Sequence, residues 1–436
     1  MAETEQIKFN RAVLVGILQR GENAEELERS MDELEGLLKT AGGECIARLT
    51  QNKDVPDTRT MIGSGKSAEL AYLCACNDID IVVFDCELSP SQIRNLEKIL
   101  GDKVRVIDRS MLILDIFALH AVTGEGKLQV ELAQLKYTAP RLMGRGTELS
   151  RLGGGIGTRG PGESQLETDR RHLQRRVRSL EAQIAEMEKN RKTMRASRDR
   201  SGMKKVAIVG YTNAGKSTLL NFLTDAGILA EDKLFATLDP TTRKFELPCG
   251  ESILLTDTVG FINKLPHHLV SAFHSTLEEA CIADILLIII DASDPRFKEQ
   301  LKVTENLLQE LGAVGKPTLY VFNKCDMGFA ELGKIGNSAQ NTNVAYISAL
   351  TGQGVESLIA KLEEIVTDGK KRVTYFIPNS DAGALSTLYK IATVESAEYG
   401  ADGITALVLA DPKTRGMMKR YAVDDDCKEK TDEDDC

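Results

Sequence analysis

Short apolar runs and apolar positions at helical spacing alternate along most of this chain. Ala12 to Leu18 is an unbroken apolar run and predicts a strand. Leu27, Met31, Leu34, Leu37 and Leu38 recur at helical spacing across Glu25 to Lys39. Ile79 to Phe84 and Val104 to Ile107 predict further strands, and Ser89-Pro90-Ser91 opens a helix with proline near its first turn. Residues 9 to about 122 therefore read as a small α/β domain. The pattern then changes. Leu128, Leu132 and Leu135 mark a helix expected to fail near Pro140. Leu166, Leu173, Val177, Leu180, Ile184, Met187 and Met194 mark a longer helix, with spacings of mostly three, four and seven that make an apolar seam. Strand runs resume at Val206 to Val209, Ile253 to Thr256, Leu286 to Ile290, Thr318 to Phe322 and Val344 to Ile347. A last small unit has strands near Val373–Ile377 and Thr405–Leu409 around a helix from Ala382 to Ile391.

Chemistry collects at the ends of the middle strands. Val206 to Val209 runs into Gly210-Tyr211-Thr212-Asn213-Ala214-Gly215-Lys216-Ser217, and a helix follows. That is the G-x-x-x-x-G-K-S spacing of a phosphate-binding loop. Its glycines let backbone N–H groups approach a polyphosphate, and the helix N-terminus adds a favourable dipole. Lys216 would neutralise β and γ charge, and Ser217 would offer its hydroxyl to Mg²⁺. The next strand ends in Asp257-Thr258-Val259-Gly260. Asp257 can hold Mg²⁺ through water, and the Gly260 N–H can sense a γ-phosphate. The strand from Leu286 ends at Asp291, and the strand from Thr318 ends in Asn323-Lys324-Cys325-Asp326. Asp326 can accept from the N1–H and N2 amino group of guanine, a donor pair that adenine lacks. Backbone N–H groups of Ser348-Ala349-Leu350 could reach guanine O6. Open α/β sheets bind ligands at such strand ends.

The predicted fold class is therefore α/β and multidomain. Residues 1–124 form an N-terminal α/β domain, 125–200 a helical hairpin with a glycine-rich loop, and 201–368 a phosphate-loop nucleotide domain. Residues 369–423 form a small C-terminal domain, and 424–436 an acidic tail expected to be disordered. Half of a second phosphate loop stands at Gly63-Ser64-Gly65-Lys66-Ser67, but its first glycine position is Thr60 and no apolar run leads into it. A glycine-rich helix start is the simpler reading.

Composition narrows the setting. No stretch approaches 18 uninterrupted apolar residues, so no transmembrane helix is expected. The N-terminus is acidic and lacks a signal-peptide core. Nine cysteines without metal-ligand spacing fit reduced thiols in a cytoplasmic protein. The net charge of −10 argues against nucleic acid only until its distribution is seen. Residues 141–205 hold 17 Lys/Arg against 8 Asp/Glu, whereas 424–436 hold 8 acids against 2 lysines. Arg145, Arg151 and Arg159 flank or sit within the glycine-rich run 152–162, and Arg170, Arg171, Arg175, Arg176 and Arg178 crowd one stretch of the long helix. These arginines are either phosphate contacts on RNA or a solvated helix surface paired to Glu167, Asp169 and Glu181. The lack of interleaved aromatics argues against single-strand stacking.

Together these motifs resemble the HflX family of ribosome-associated GTPases over nearly the whole chain apart from the acidic tail. The most specific pieces are Val130-Glu131-Leu132-Ala133-Gln134-Leu135-Lys136-Tyr137, the run from Leu149 to Glu163, and Asp257-Thr258-Val259-Gly260-Phe261-Ile262 followed by Leu265-Pro266-His267. The resemblance implies a monomeric GTPase that binds GTP and GDP with Mg²⁺, engages the 50S subunit and its rRNA, and splits stalled 70S ribosomes. It implies that Arg145, Arg151, Arg159, Arg170, Arg171, Arg175 and Arg176 face RNA. It also identifies Phe235-Ala236-Thr237-Leu238-Asp239 as the first switch segment, with Thr237 as second Mg²⁺ hydroxyl, although Thr241 and Thr242 could chemically serve. Lys216, Thr237 and Gly260 are then the expected catalytic groups. Two functions of other classes stay open: an NTP-driven RNA-remodelling enzyme with a second nucleotide site at Gly63, and a GTP-switched protein scaffold. More than one nucleotide bound per chain would favour the first, and salt-insensitive partner binding the second.

Ras-like GTPases place a water-orienting Gln after this glycine, where this chain has Phe261. A phenyl ring cannot hydrogen-bond the attacking water, so intrinsic hydrolysis should be slow, roughly 10⁻⁴ s⁻¹ as in unassisted Ras. Asn213 is either a K⁺ ligand, the ion standing in for an arginine finger, or a hydrogen-bonding residue of its own loop. The K⁺ reading requires faster hydrolysis in KCl than in NaCl, and equal rates remove it.

Overall fold

The structure is a computed structural model. It describes residues 11–21, 23–101, 103–142, 161–199, 203–224, 234–235, 240–264, 274–328, 343–367, 370–381, 383–400 and 402–423.

The N-terminal unit is a parallel four-stranded sheet with helices on both faces. Its strands β1 (Arg11–Leu18), β2 (Glu44–Asn52), β3 (Ile81–Phe84) and β4 (Arg105–Asp108) lie in the order β2-β1-β3-β4. Helices α2 (Ser64–Cys76) and α3 (Pro90–Leu100) bury Leu70, Cys74, Ile93 and Leu96 on one face. Helix α1 (Ala24–Thr40) covers the other with Met31, Leu34, Leu37 and Leu38. Asn23 caps α1 by accepting from the Glu25 N–H at 3.1 Å, and Glu25 and Glu26 suit the positive end of its dipole. The tightness of α1 on β1 depends on Gly16, where a Cβ would sit 2.7 Å from Met31 Sδ. Helix α4 (Arg109–His120) is apolar nearly all round because it is packed between the sheet and helix α5 (Gly124–Leu142).

Helix α5 pairs with the long helix α6 (Pro161–Asp199). Along α6 Leu180 is fully buried, and Leu173, Val177, Ile184 and Met187 are partly so. The helix does not break at Pro140 but continues through it to Leu142, the last described residue of that stretch. The stretch Val130–Tyr137 docks α5 on the N-terminal unit. Val130 and Ala133 enter its core, Gln134 donates to Asp115 at 3.2 Å, and the Tyr137 hydroxyl donates to Asp108, which also caps α4 through the Met111 N–H.

The six strands of the nucleotide unit are β5 (Lys204–Gly210), β6 (Thr241–Glu246), β7 (Ser252–Asp257), β8 (Ile285–Asp291), β9 (Thr318–Asn323) and β10 (Val344–Tyr346). Their order is β10-β9-β8-β5-β7-β6, with β6 alone antiparallel to its neighbour. The chain leaves β5 to one side and returns to the other, so the sheet order reverses at β5 and opens a ligand crevice there. The apolar β8 is buried on both faces under helices α7 (Lys216–Thr224), α8 (His274–Ile282), α9 (Phe297–Glu310) and α10 (Val355–Val366). The C-terminal unit is antiparallel, with β11 (Lys371–Pro378), β12 (Thr393–Tyr399) and β13 (Gly403–Ala410) in the order β11-β13-β12 beside helices α11 (Gly383–Ile391) and α12 (Pro412–Met418). Among the described residues no helix is long and apolar enough to cross a membrane.

Gly354 links this fold to the site, since it turns the chain from β10 into α10 with φ 75°. A Cβ there would lie 2.1 Å from the Tyr346 carbonyl oxygen. Gly354→Ala should therefore lower the apparent thermal midpoint by several degrees, the cost of one strained residue plus a backbone clash. An unchanged midpoint in differential scanning calorimetry would show that the turn relaxes freely.

Candidate functional site

The loop after β5 takes its shape from close backbone approaches. Gly210 has φ 151°, and a Cβ on it would lie 2.3 Å from the Ile289 oxygen of β8. Gly215 has φ 92°, and a Cβ there would meet Asn323 Nδ2 at 2.2 Å. Asn213 is exposed with φ 61°, a left-handed conformation that asparagine tolerates. Lys216, the first residue of α7, donates to the carbonyls of Gly210 at 3.2 Å and Tyr211 at 2.8 Å. Its burial pulls the ammonium down to about 8, and nearby Asp257 offsets part of that drop.

Ser217 donates to Asp257 Oδ2 at 2.6 Å, and Asp257 is fully buried at the end of β7. A hydroxyl and a carboxylate in contact form an all-oxygen donor pair, which fits a hard cation such as Mg²⁺. The Thr258 hydroxyl donates to the Ile208 carbonyl at 2.8 Å and ties β7 to β5. Gly260 rests on the phosphate loop, where a Cβ would lie 2.8 Å from Thr212 Cα and 3.0 Å from Lys216 Nζ. Phe261 points its ring into the core between β5 and β8 and is 1 % exposed. Its backbone locks the two loops together, since Thr212 N–H donates to the Phe261 carbonyl at 2.7 Å and Phe261 N–H to the Gly210 carbonyl at 3.1 Å.

On the base side, Asn323 joins two loops. Its Nδ2 donates to the Ala214 carbonyl at 2.8 Å, and its Oδ1 accepts the Ala349 N–H at 2.9 Å. Lys324 has φ 63° and pairs with Asp291 at 2.7 Å. Cys325 N–H donates to the Ile347 carbonyl, and Asp326 is exposed beside it. Of the three backbone donors considered for guanine O6, two are engaged within the protein. Ala349 N–H serves Asn323, and Ser348 N–H serves the Gln353 carbonyl at 2.9 Å. The Leu350 side chain is exposed.

Two residues of the expected nucleotide segments send their side chains elsewhere. The Tyr211 ring is buried in the N-terminal unit's core, and its hydroxyl donates to Glu33. Burial first, and the Glu33 carboxylate next, push that phenol well above its ordinary range. The Phe235 ring stands edge-on to Phe117 of α4 with centroids 4.7 Å apart, and Leu234 packs on Gly36 of α1. Val259 and Ile262 join the same core. Ala236, Thr237, Leu238 and Asp239 lie outside the described residues, as do Arg145, Arg151, Arg159 and the Leu265-Pro266-His267 run. Thr241 and Thr242, the alternative Mg²⁺ hydroxyls, belong to β6, and Thr242 Oγ1 lies 3.0 Å from Thr256 Oγ1. Arg170, Arg171 and Arg175 are exposed on α6, while Arg176 is held bidentately by Glu131 of α5 at 2.7 Å to each oxygen. At Gly63 the chain enters α2 directly, Ser67 donates back to the Gly63 carbonyl, and Lys66 pairs with Glu69.

The sequence reading missed Glu33, Asp85, Arg109 and Lys264. They are joined to one another, to Tyr211 and to Asn263 by contacts that span as many as 179 residues of chain, and no local spacing announces them.

Known proteins resemble this chain along most of its length. Residues 28–118 match the family described as GTP-binding GTPase N-terminal, and 120–198 match GTP-binding GTPase Middle Region. Residues 205–324 match 50S ribosome-binding GTPase. The chain is 48% identical over 404 residues to GTPase HflX of Lacrimispora saccharolytica, covering 93% of this chain and 94% of the relative. It is 42% identical over 404 residues to GTPase HflX of Escherichia coli, covering 92% and 93%. A solved structure of a protein called SsGBP in complex with GDP is 27% identical, with a TM-score of 0.49 over 82% of this chain and 99% of that one.

A polyphosphate beside Lys216 would restore its charge and raise its pKa. Nucleotide binding near pH 8 should therefore take up about half a proton, with uptake diminishing toward pH 7. Calorimetry of GDP binding in buffers of different ionisation enthalpy measures this. Binding heats at pH 8 that do not depend on the buffer would contradict it.

Proposed function

The chain belongs to the HflX family of GTPases, and from that premise we propose that it binds the large ribosomal subunit in its GTP-bound form and dissociates 70S ribosomes. It is a GTP hydrolase. The observation that best supports the nucleotide reading is Asn323, which ties the phosphate loop at Ala214 to the Ser348–Leu350 loop and leaves Asp326 exposed beside that junction. In this reading Asp326 accepts from guanine N1–H and the N2 amino group. Lys216 holds the β- and γ-phosphates, and Gly260 N–H donates to the γ-phosphate.

Ser217 would ligate Mg²⁺, joined by Thr237, with Asp257 holding it through water. Bound there, the ion would neutralise phosphate charge. In hydrolysis, water adds in line to the γ-phosphorus, the β–γ bridging P–O bond breaks, and GDP and phosphate leave. Phe261 turns its ring away into the core, so no side chain at that position orients the water. A partner must supply what is missing. The ribosomal subunit fits that role, because the exposed Arg170, Arg171 and Arg175 present positive charge to an rRNA backbone. Their contribution should weaken steeply with salt.

GTP turnover by the purified chain in KCl, alone and with 50S subunits, tests the reading. The expected result is slow turnover alone, strong stimulation by 50S, and loss of 70S light scattering on addition of the protein with GTP. Intact GTP binding without stimulation would keep the nucleotide site but remove the ribosome as activator.

A further inference from the structure

Four charged side chains meet where α1 and α4 face the nucleotide loops. Glu33 comes from α1, Asp85 follows β3, Arg109 opens α4, and Lys264 lies shortly after Gly260. Arg109 is 3 % exposed and Asp85 4 %. Arg109 donates to Glu33, to Asp85 Oδ1 at 2.8 Å and to the Asn263 carbonyl at 3.2 Å. Lys264 donates to Asp85 Oδ2 at 2.7 Å and to Ser30 Oγ at 3.0 Å. The Tyr211 hydroxyl completes the set by accepting the Asn263 N–H at 2.7 Å while donating to Glu33.

We propose that Glu33 and Arg109 are positioning residues for the GTPase site, fixing the phosphate loop through Tyr211 and the Gly260 segment through Asn263 and Lys264. This deepens the nucleotide-site reading above and rests on it.

Lys264 is the second cation on Asp85, beside Arg109, while Glu33 also feels Arg296. Its withdrawal would leave the buried Asp85 carboxylate with Arg109 alone, a guanidinium it shares with Glu33, and a buried charge that loses a partner is strongly destabilising. The segment is therefore held against the N-terminal unit by more than shape. Its backbone shows the same constraint, since Lys264 sits at φ 54°, a region that side-chain-bearing residues occupy when their surroundings enforce it. Gly260, on the same segment, lies directly on Thr212 and near Lys216. An oxygen held by Lys216 is thus within reach of the backbone the network steadies. GTP carries a phosphoryl group that uses the Gly260 N–H, and GDP does not. Loss of the network should accordingly weaken GTP more than GDP. By linkage, whatever displaces the N-terminal unit alters the preference for GTP by the factor with which GTP resists that displacement.

The test uses the full chain and a fluorescent GDP and a non-hydrolysable GTP analogue, with a thermal midpoint for every variant. Lys264→Met removes the partly exposed cation, and Tyr211→Phe removes one hydroxyl while keeping the ring in the core. In both, the ratio of GTP-analogue to GDP affinity should fall at least about fivefold, and Lys264→Arg should restore it. An unchanged ratio with a lowered midpoint would reduce the network to an interdomain staple and overturn the proposal. A raised ratio would also overturn it, since the network would then oppose the GTP-bound arrangement. Failure of the unaltered protein to bind either nucleotide would instead remove the site reading on which the proposal stands.

Discussion

A guanidinium buried to 3 % exposure is the constraint around which this molecule is arranged. Burial alone would lower the Arg109 pKa, but the carboxylates of Glu33 and Asp85 outweigh it and raise it. A buried charge of this kind holds its partners in place, because any of them leaving exposes the full desolvation cost of the rest. Those partners reach into both halves of the protein. Around them the apolar core is continuous, with Leu34 and Phe117 from the N-terminal unit and Tyr211, Phe235, Val259 and Ile262 from the nucleotide unit. The phosphate loop and both flanking segments therefore have one wall made by another part of the chain.

The nucleotide unit's own contribution is a set of close approaches. Gly210 against β8, Gly215 against Asn323 and Gly260 against Thr212 each leave no space for a side chain. The phosphate side and the base side of the site are consequently fixed to one another through Asn323. Phe261 adds backbone bonds to this assembly and withdraws its ring from the reaction.

Most of the candidate site was legible in the sequence because its signals are local. The glycine spacing of 210–217, the carboxylate at the end of β7 and the Asn323–Asp326 run each carry their meaning within a few residues. The strands that escaped notice have a common physical character. Strands β2, β6 and β12 are all sheet edges, and runs such as Thr241-Thr242-Arg243-Lys244-Phe245-Glu246 turn polar residues to solvent, which erases the apolar pattern of an interior strand. Thr241 and Thr242, chemically able to meet a metal, stand in that edge ladder. The Glu33–Arg109–Asp85–Lys264 network was illegible for a different reason, since long-range pairing between ionic residues has no period to detect. Tyr137 shows the reverse case. Its motif was visible in sequence, but its role, anchoring α5 at Asp108, belongs to packing.

That anchor makes the paired helices a lever. Helix α6 has 39 residues, which at 1.5 Å per residue is about 58 Å of stiff rod. Its far end leads toward β5 and the phosphate loop, while α5 is fixed to the N-terminal unit by Tyr137 and Gln134. Because α5 grips the middle of α6 at Glu131–Arg176, the rod turns only together with the N-terminal unit, and a shared turn of about 10° would carry Pro161 through roughly 10 Å over that length. Sub-ångström adjustments near the nucleotide are too small to alter a large partner directly. An arm of this length converts a modest angular change at its root into a displacement on the scale of a whole helix diameter.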